Sequence, residues 1–427
     1  MVNFSGRMME MIFYRKLLHE GKKKQSAMLG LLDPGQLFLL SRAGVRDDSA
    51  MASFQAVGCE MPGPYKHETV LHAAQRVREA MGGPARIAFL FFSANLTPHL
   101  AEMCETLRVD GHIRDIVGCT GGGRIQGGHE IERGSGFVLL ALRGDFGEPV
   151  ALESETAVSV SPENPNGWIV LTNPFTFGIE DWLKNWNRLF PGIPTIGGLA
   201  SGGSEEDTVV FINERIVEAA GVPLIGRTGL MPVISQGCRP IGEPLTVTRA
   251  DHNIVYALGS EPAYRVLETA FETLSDEEKS NARGNLFAGL AGNEYIEDFS
   301  SGDFLIKNIL GADPDSGAVV IGGIPRIGQT LQYQIRDRHA ALDDLRRAFE
   351  PAREVSGRAF GALLFSCLGR GSRFFGKKDQ DSGTLSEALG GKPCAGFFCN
   401  GEIAPVRGLN ALHGNTAAAA VFVELEP

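Results

Sequence analysis

The chain has 427 residues, of which 43% are hydrophobic and 21% charged, with 54 glycines and a formal net charge of −11. This length and composition suit a globular protein of more than one domain, able to bury ordinary cores without metal or disulfide staples. The acidic balance excludes a general nucleic-acid or anionic-membrane binder, because nothing neutralises phosphate on a large scale.

The first 50 residues carry a Met-rich start (Met8-Met9-Glu10-Met11) and weak periodicity. Residues 1–53 are read as an N-terminal extension, in which Met28 and Met51 offer alternative starts. The short basic run Lys22-Lys23-Lys24 reads as solvated surface, and no apolar stretch with a small-residue cleavage site follows it. No apolar run approaches the ~20 residues needed to span a bilayer, so no membrane insertion is expected. The seven cysteines (Cys59, Cys104, Cys119, Cys238, Cys367, Cys394 and Cys399) are scattered and form no C-x-x-C pair. An odd, dispersed set reads as reduced thiols in a cytoplasm, and neither a zinc site nor any other cofactor is expected.

From residue 54 the pattern becomes regular. His67–Met81 places Val70, Leu71, Ala74, Val77 and Ala80 at helical spacing, with Gly82-Gly83-Pro84 to stop the helix. Residues 87–92 form a continuous apolar strand suited to a sheet covered on both faces. A helix at 96–107 and a strand at 116–117 follow, the strand running into Gly118. The order repeats as strand 168–171, helix 179–190 and strand 195–196, then again as strand 361–365, helix 385–389 and strand 395–398. Each first strand ends near a small polar residue, Ser93, Thr172 or Ser366. Each second strand carries a Gly-rich signature: Gly118-Cys119-Thr120-Gly121, Gly198-Leu199-Ala200-Ser201, and Gly396-Phe397-Phe398-Cys399-Asn400-Gly401.

A helix between two strands is a βαβ crossover, which makes the strands parallel and gathers their C-terminal ends on one edge. Open α/β sheets bind ligands outside that edge. Between the repeats lie alternating β-branched segments at 208–212 and 245–248, a helix at 262–274 and an acidic surface stretch at 275–285. The expected fold class is α/β: two domains, 54–250 and 251–427, of repeated βαβ-type units with mixed and parallel sheets around a Gly-rich cleft.

Gly371-Ser372-Arg373-Phe374-Phe375-Gly376-Lys377-Lys378 nearly spells a phosphate loop, but Lys378 stands where the Mg²⁺-binding hydroxyl belongs. It is read as a strand-to-helix loop. His129-Glu130-Ile131-Glu132-Arg133 lacks the second imidazole of a zinc-protease helix, and no Gly-x-Ser-x-Gly elbow occurs. Cys119, Cys367 and Cys399 sit in the repeated loops, where a strand-end thiol facing a helix N-terminus has the setting of a lowered-pKa nucleophile. The alternative is that they are small, buried core residues. Arg370, between Gly369 and Gly371, is expected to expose its guanidinium for bidentate binding of a carboxylate or phosphate, or to make a surface salt bridge. Glu402 is placed to answer a ligand ammonium or to pair with Arg370. With Ser366 and Cys367 they form the strongest polar cluster, and Ser93, Cys119, Thr120, Ser201 and Asn400 are expected to line the adjoining loop ends.

Phe360-Gly361-Ala362-Leu363-Leu364-Phe365-Ser366-Cys367-Leu368-Gly369-Arg370-Gly371, followed by Ala395-Gly396-Phe397-Phe398-Cys399-Asn400-Gly401-Glu402, resembles the C-terminal half of the FIST family. Leu412-His413-Gly414-Asn415-Thr416-Ala417 fits the end of that half. Upstream, Phe91-Phe92-Ser93, Gly118-Cys119-Thr120, Ile196-Gly197-Gly198 and Gln236-Gly237-Cys238-Arg239-Pro240 resemble its N-terminal half. The resemblance implies a cytoplasmic sensory module of intracellular signal transduction that binds a small ligand, an amino acid or other small carboxylate. No F-box, kinase, cyclase or methyl-accepting segment is read here, so a signalling protein partner in trans is expected. The resemblance carries over no catalytic residues. A cysteine-dependent enzyme acting on a small carboxylate, and a protein-recognition scaffold like the F-box-associated relatives, are the alternatives.

Overall fold

The computed structural model describes residues 54–153, 164–282, 284–292, 299 and 302–426. The N-terminal extension and its alternative starts lie outside the described residues.

Three repeats set the architecture. In each, one strand crosses through a helix to a parallel neighbour: Ala85–Phe92 to Ile113–Thr120, Gly167–Thr172 to Thr195–Leu199, and Ala359–Cys367 to Cys394–Cys399. The crossovers carry helices Leu100–Val109, Ile179–Leu189 and Gln380–Ala388. A return strand (Gly136–Arg143, Ala219–Leu224 or Ala417–Glu424) pairs antiparallel on the outer side of each first strand. Beyond it lies an edge strand, Gln55–Pro62, Val150–Leu152 or Thr228–Ser235.

The opposite side of each sheet is completed by a hairpin from a different repeat. Arg124–Gln126 and His129–Ile131 of the first repeat join the third sheet. Val210–Ile212 and Arg215–Val217 of the second join the first sheet, and Glu402–Val406 and Leu409–His413 of the third join the second. Three six-stranded mixed sheets result.

Side chains alternate across these strands. Ile87, Phe89 and Phe91 enter a core shared by all three sheets, where they meet Leu171, Phe365 and Phe397. Ala88, Leu90 and Phe92 face the other way, packing with helices His67–Met81 and Leu100–Val109. Trp168 does the same against Ile179–Leu189, and Leu364 and Phe398 against Arg338–Glu354 and Gln380–Ala388. Burial on both faces is why these strands read as unbroken apolar runs.

The third repeat carries an insertion between Thr228–Ser235 and Ala359–Cys367. Leu245–Asp251, Ile254–Leu258, Ala318–Ile321, Phe304–Asp313, Leu286–Ala291 and Thr330–Arg336 pair in that order, and the last pairs back to the first, closing a ring. Helix Ala263–Glu272 packs Ala263, Leu267 and Ala270 against Val247, Val255, Leu258 and Tyr333 of this ring. Residue 250, where the sequence places a division, lies within the Leu245–Asp251 strand.

Some local readings need correction. The stretch 275–285 contains a helix, Asp276–Asn281, started by a capping box in which Ser275 and Glu278 each accept the other's backbone N–H. The last crossover helix begins at Gln380, well before residue 385, because the exchanged hairpin supplies a cap: Glu130 Oε1 accepts the N–H groups of Asp381 and Ser382 at 2.9 and 3.1 Å. In register, Gly118, Gly197 and Gly396 are counterparts, lying opposite Leu90, Val170 and Leu364. A Cβ at any of them would enter the facing carbonyl oxygen, so the close approach of each parallel pair requires glycine.

Two alanine substitutions should therefore differ in sign. Gly396→Ala is expected to destabilise the protein by roughly 1–3 kcal/mol through overpacking. Gly383→Ala, in the last crossover helix with open space where its Cβ would stand, is expected to stabilise by about 0.5–1 kcal/mol. Urea denaturation midpoints at unchanged slope check both.

Candidate functional site

The three Gly-rich segments meet at the strand ends and close on one another. Ser201 N–H donates to Thr120 O at 3.0 Å, and Asn400 N–H donates to Leu199 O at 3.0 Å. Ser201 Oγ accepts Gly122 N–H at 2.8 Å and donates to Phe398 O. The loops are thus hydrogen-bonded to one another where the sequence predicts a Gly-rich cleft. A cavity of about 370 Å³ lies away from them, lined by Ile193, Pro194, Pro232, Ile234, Pro405 and Arg407, and borders none of the predicted site residues.

One of the three junctions is strongly polar. The exchanged hairpin of the third repeat sets Glu402 opposite Gly198, where the corresponding hairpins carry Val210 and Arg124. Gly198 leaves room for the Cys399 thiol, whose sulfur would lie 3.2 Å from a Cβ there. Cys399 Sγ donates to Glu402 Oε1 at 3.3 Å and Thr416 N–H donates to Oε2 at 3.1 Å. Burial pushes Glu402 up to about 8, against the opposing pull of Cys399, the Thr416 N–H and Arg370. The carboxyl is therefore mostly protonated at neutral pH.

Behind it lies a buried ion pair that corrects the sequence reading of Arg370. Its side chain is 0% exposed and its fork is taken by Asp381, with Nε to Oδ2 at 2.8 Å and Nη2 to Oδ1 at 2.7 Å. The remaining Nη1 donates to Asn415 O at 3.2 Å, and Phe375 lies beneath the guanidinium. Ser366 Oγ donates to the same Asp381 Oδ2 at 2.8 Å. Asp381, and neither Glu402 nor a surface partner, neutralises Arg370. Glu130 sits beside this pair, and burial together with the Asp381 charge pushes it up to about 7.

Six of the seven cysteines are buried, and Cys367, at the end of its strand, is partly exposed. Asn415 adopts a φ of 60°, a left-handed conformation that asparagine tolerates, and its carbonyl accepts from Arg370. Burial, followed by the Glu402 carboxylate, pushes Cys367 up to about 12. Burial likewise raises Cys119 and Cys399. None of the three thiols has the lowered pKa expected at a helix N-terminus.

Sequence reasoning passed over Arg336, the last residue of Thr330–Arg336. Its Nη2 donates to Gly369 O at 2.8 Å, and its guanidinium lies 3.9 Å from the Phe374 ring centroid. Its buried Nε has no hydrogen-bond partner among the described residues. Burial, then the neighbouring Arg370 charge, lowers its pKa, against the smaller opposing pull of Cys238, Cys367 and Asp381. A lone arginine at a strand end carries no motif, so nothing in the sequence singled it out.

Of the predicted residues, the structure brings together Ser366, Cys367, Arg370 and Glu402, joined through Asp381 and Cys399. Thr120, Ser201 and Asn400 brace the loops: Thr120 Oγ1 accepts Val209 N–H at 3.1 Å, and Asn400 Nδ2 donates to Ala200 O at 3.0 Å. Cys119 lies in the shared core. Ser93 belongs to a separate knot, donating to Asn95 Oδ1 at 2.7 Å and accepting Gly136 N–H at 3.0 Å. In the Gly371–Lys378 segment, Ser372 N–H and Oγ bind the Glu132 carboxylate at 2.7 and 2.8 Å, so an internal anion occupies the turn. Among the described residues, no group of His, Cys, Asp and Glu is placed to hold a metal, and no helix is long and apolar enough to cross a membrane.

Residues 86–261 match the FIST N domain and residues 263–405 the FIST C domain. The chain belongs to the FIST family, whose domains are associated with signal transduction. It is similar to the uncharacterized protein Mb0898c of Mycobacterium bovis, 36% identical over 374 residues that cover 84% of this chain and 97% of that protein. The uncharacterized proteins MT0897 and MT0656 of Mycobacterium tuberculosis are 36% and 35% identical over the same coverage.

Breaking the buried pair leaves an uncompensated guanidinium, so Asp381→Asn is expected to cost about 3–5 kcal/mol of unfolding free energy, measured by urea denaturation. Glu402 supplies a pH signature. Its folded pKa lies above the ordinary value, so the native state holds a proton that the unfolded chain releases. Stability from this group is complete below about pH 4.5 and declines toward pH 8, by at most about 1.4 kcal/mol per pH unit. Melting temperatures of Glu402→Gln, compared with wild type between those limits, should move in the variant's favour as pH rises.

Proposed function

We propose that this chain is the ligand-binding sensory protein of an intracellular signalling pathway, and that its ligand is an amino acid or another small carboxylate. The observation that carries this reading is Arg336. Arg370 is paired with Asp381 and Glu402 is mostly protonated, while Arg336 makes no ion pair and its Nε has no acceptor among the described residues. A buried donor without an acceptor costs about 1–3 kcal/mol, and an arriving carboxylate supplies the acceptor.

The groups around that charge suit a small ligand. Cys367, Asn400 and Asn415 are accessible at the same junction, while Leu368 and Gly369 between them are exposed. Arg336 comes from the closed ring of the insertion, whereas Gly369 and Cys367 come from the third sheet. A ligand held on Arg336 would therefore bear on both parts of the fold at once, which is the coupling a sensor needs. A signalling partner acting in trans would read that change, in a cytoplasm that keeps the thiols reduced.

Thermal shifts against amino acids and small organic acids test the reading. A binding carboxylate at 100 times its dissociation constant should stabilise the fold by about 2.7 kcal/mol, and its amide should not. Arg336→Gln should abolish the shift. A broad panel that leaves wild type unmoved would sink the proposal.

A further inference from the structure

We propose that Glu130 is a proton-operated latch: with a proton on its Oε2 it holds the exchanged hairpin 124–131 against the helix starts of the third repeat, and loss of that proton to solvent loosens the hold. The inference stands apart from the anion site assigned above to Arg336, and neither needs the other.

The contact is built from carboxyl groups and backbone N–H groups. Glu130 Oε1 accepts the N–H groups of Asp381 and Ser382 at 2.9 and 3.1 Å, and Asp379 Oδ1 accepts Glu130 N–H at 2.7 Å in return. Strand and helix start thus each donate to a carboxyl of the other. Two residues along, Glu132 binds Ser372 N–H and Oγ at 2.7 and 2.8 Å. On the exposed side, His129 Nδ1 lies 3.6 Å from Asp379 Oδ2. On the inner side, the Arg370 guanidinium is already committed to Asp381. Glu130 is 6% exposed, and its Oε2 is buried with no hydrogen-bond partner among the described residues.

That geometry places the proton. Both backbone donors fall on Oε1, so an ionised Glu130 would bury a charged Oε2 without a donor, beside the Asp381 and Asp379 carboxylates. A protonated Glu130 keeps both Oε1 bonds and removes the repulsion, and a neutral hydroxyl is far cheaper to bury than a charge. Burial, then the Asp381 charge, outweighs the two N–H bonds and pushes Glu130 up to about 7. The folded value lies above the ordinary one, so the closed contact gains most at low pH and loses that gain as pH rises through about 7. Opening removes the cap from Gln380–Ala388 and loosens the hairpin that covers the edge of Cys394–Cys399. A mildly alkaline shift therefore becomes a change of shape at the third repeat.

The test is hydrogen–deuterium exchange of the full chain, read by peptide mass spectrometry at about pH 6 and about pH 8.5 and corrected for the intrinsic pH dependence of exchange. Peptides covering 124–132 and 379–384 should lose about tenfold in protection across that interval, the ratio for a group at about 7 when closed and 4.5 when open. Helix Ile179–Leu189, in another repeat, should keep its protection. Glu130→Gln retains an Oε1 acceptor and cannot ionise, so its hairpin and helix start should exchange alike at both pH values. Glu402→Gln removes the other carboxyl with a raised pKa and should preserve the wild-type loss. Unchanged protection in wild type overturns the inference, and that measurement stands even if the variants fold poorly. The same tenfold loss in Glu130→Gln, or a loss shared equally by Ile179–Leu189, also overturns it.

Discussion

An unpaired strand edge beside each parallel pair has to be covered, and in this fold every repeat covers an edge that is not its own. The hairpins at 124–131, 210–217 and 402–413 pass cyclically between sheets. Edges left open would be templates for association, so the exchange bears on association as well as on shape. It also creates the candidate site. Glu402 and Cys399 lie three residues apart in sequence, yet one belongs to the second sheet and the other to the third, and their hydrogen bond spans the junction. The same exchange carries Glu130 and Glu132 to the helix starts of the third repeat.

Charge at the junction follows a simple division. Asp381 satisfies Arg370 completely and recruits Ser366, so that pair is sealed and positions the strand end. Glu402 has no cation of its own and responds by keeping its proton. Arg336 has neither a carboxylate partner among the described residues nor the option of losing its charge at physiological pH, because arginine stays protonated in proteins. Of three strongly polar groups, one is neutralised by a partner, one by protonation, and one makes no ion pair among the described residues.

The repeated strand–helix–strand units were legible because strands buried on both faces appear as unbroken apolar runs, and because His67–Met81 and Ile179–Leu189 keep a helical period. The polar cluster from Ser366 to Glu402 was legible through its position at the strand ends. The partners were not. Asp381 hides in a polar stretch containing Gly383, and its helix starts at Gln380 with a cap from Glu130, whose distance along the chain leaves no local trace. Flanking glycines suggested that Arg370 would be exposed, but neighbours in sequence do not decide burial when Asp381 and Phe375 close over it. The six-stranded ring and the hairpin exchange are long-range pairings, which period and propensity do not encode.

The order in which the strands are made bears on how this protein comes to be folded in a cell. Ala417–Glu424 is the last strand described, yet it lies inside the third sheet, between Thr228–Ser235 and Ala359–Cys367. The second sheet likewise lacks Glu402–Val406 until late in synthesis. A ribosome-bound chain that has reached residue 400 carries two sheets with open edges and a shared core short of one wall. Contacts so distant in sequence form slowly, since loop closure precedes the gain from pairing. The nascent chain therefore spends its synthesis time with adhesive edges exposed, and chaperone shielding during translation is the natural complement of its topology.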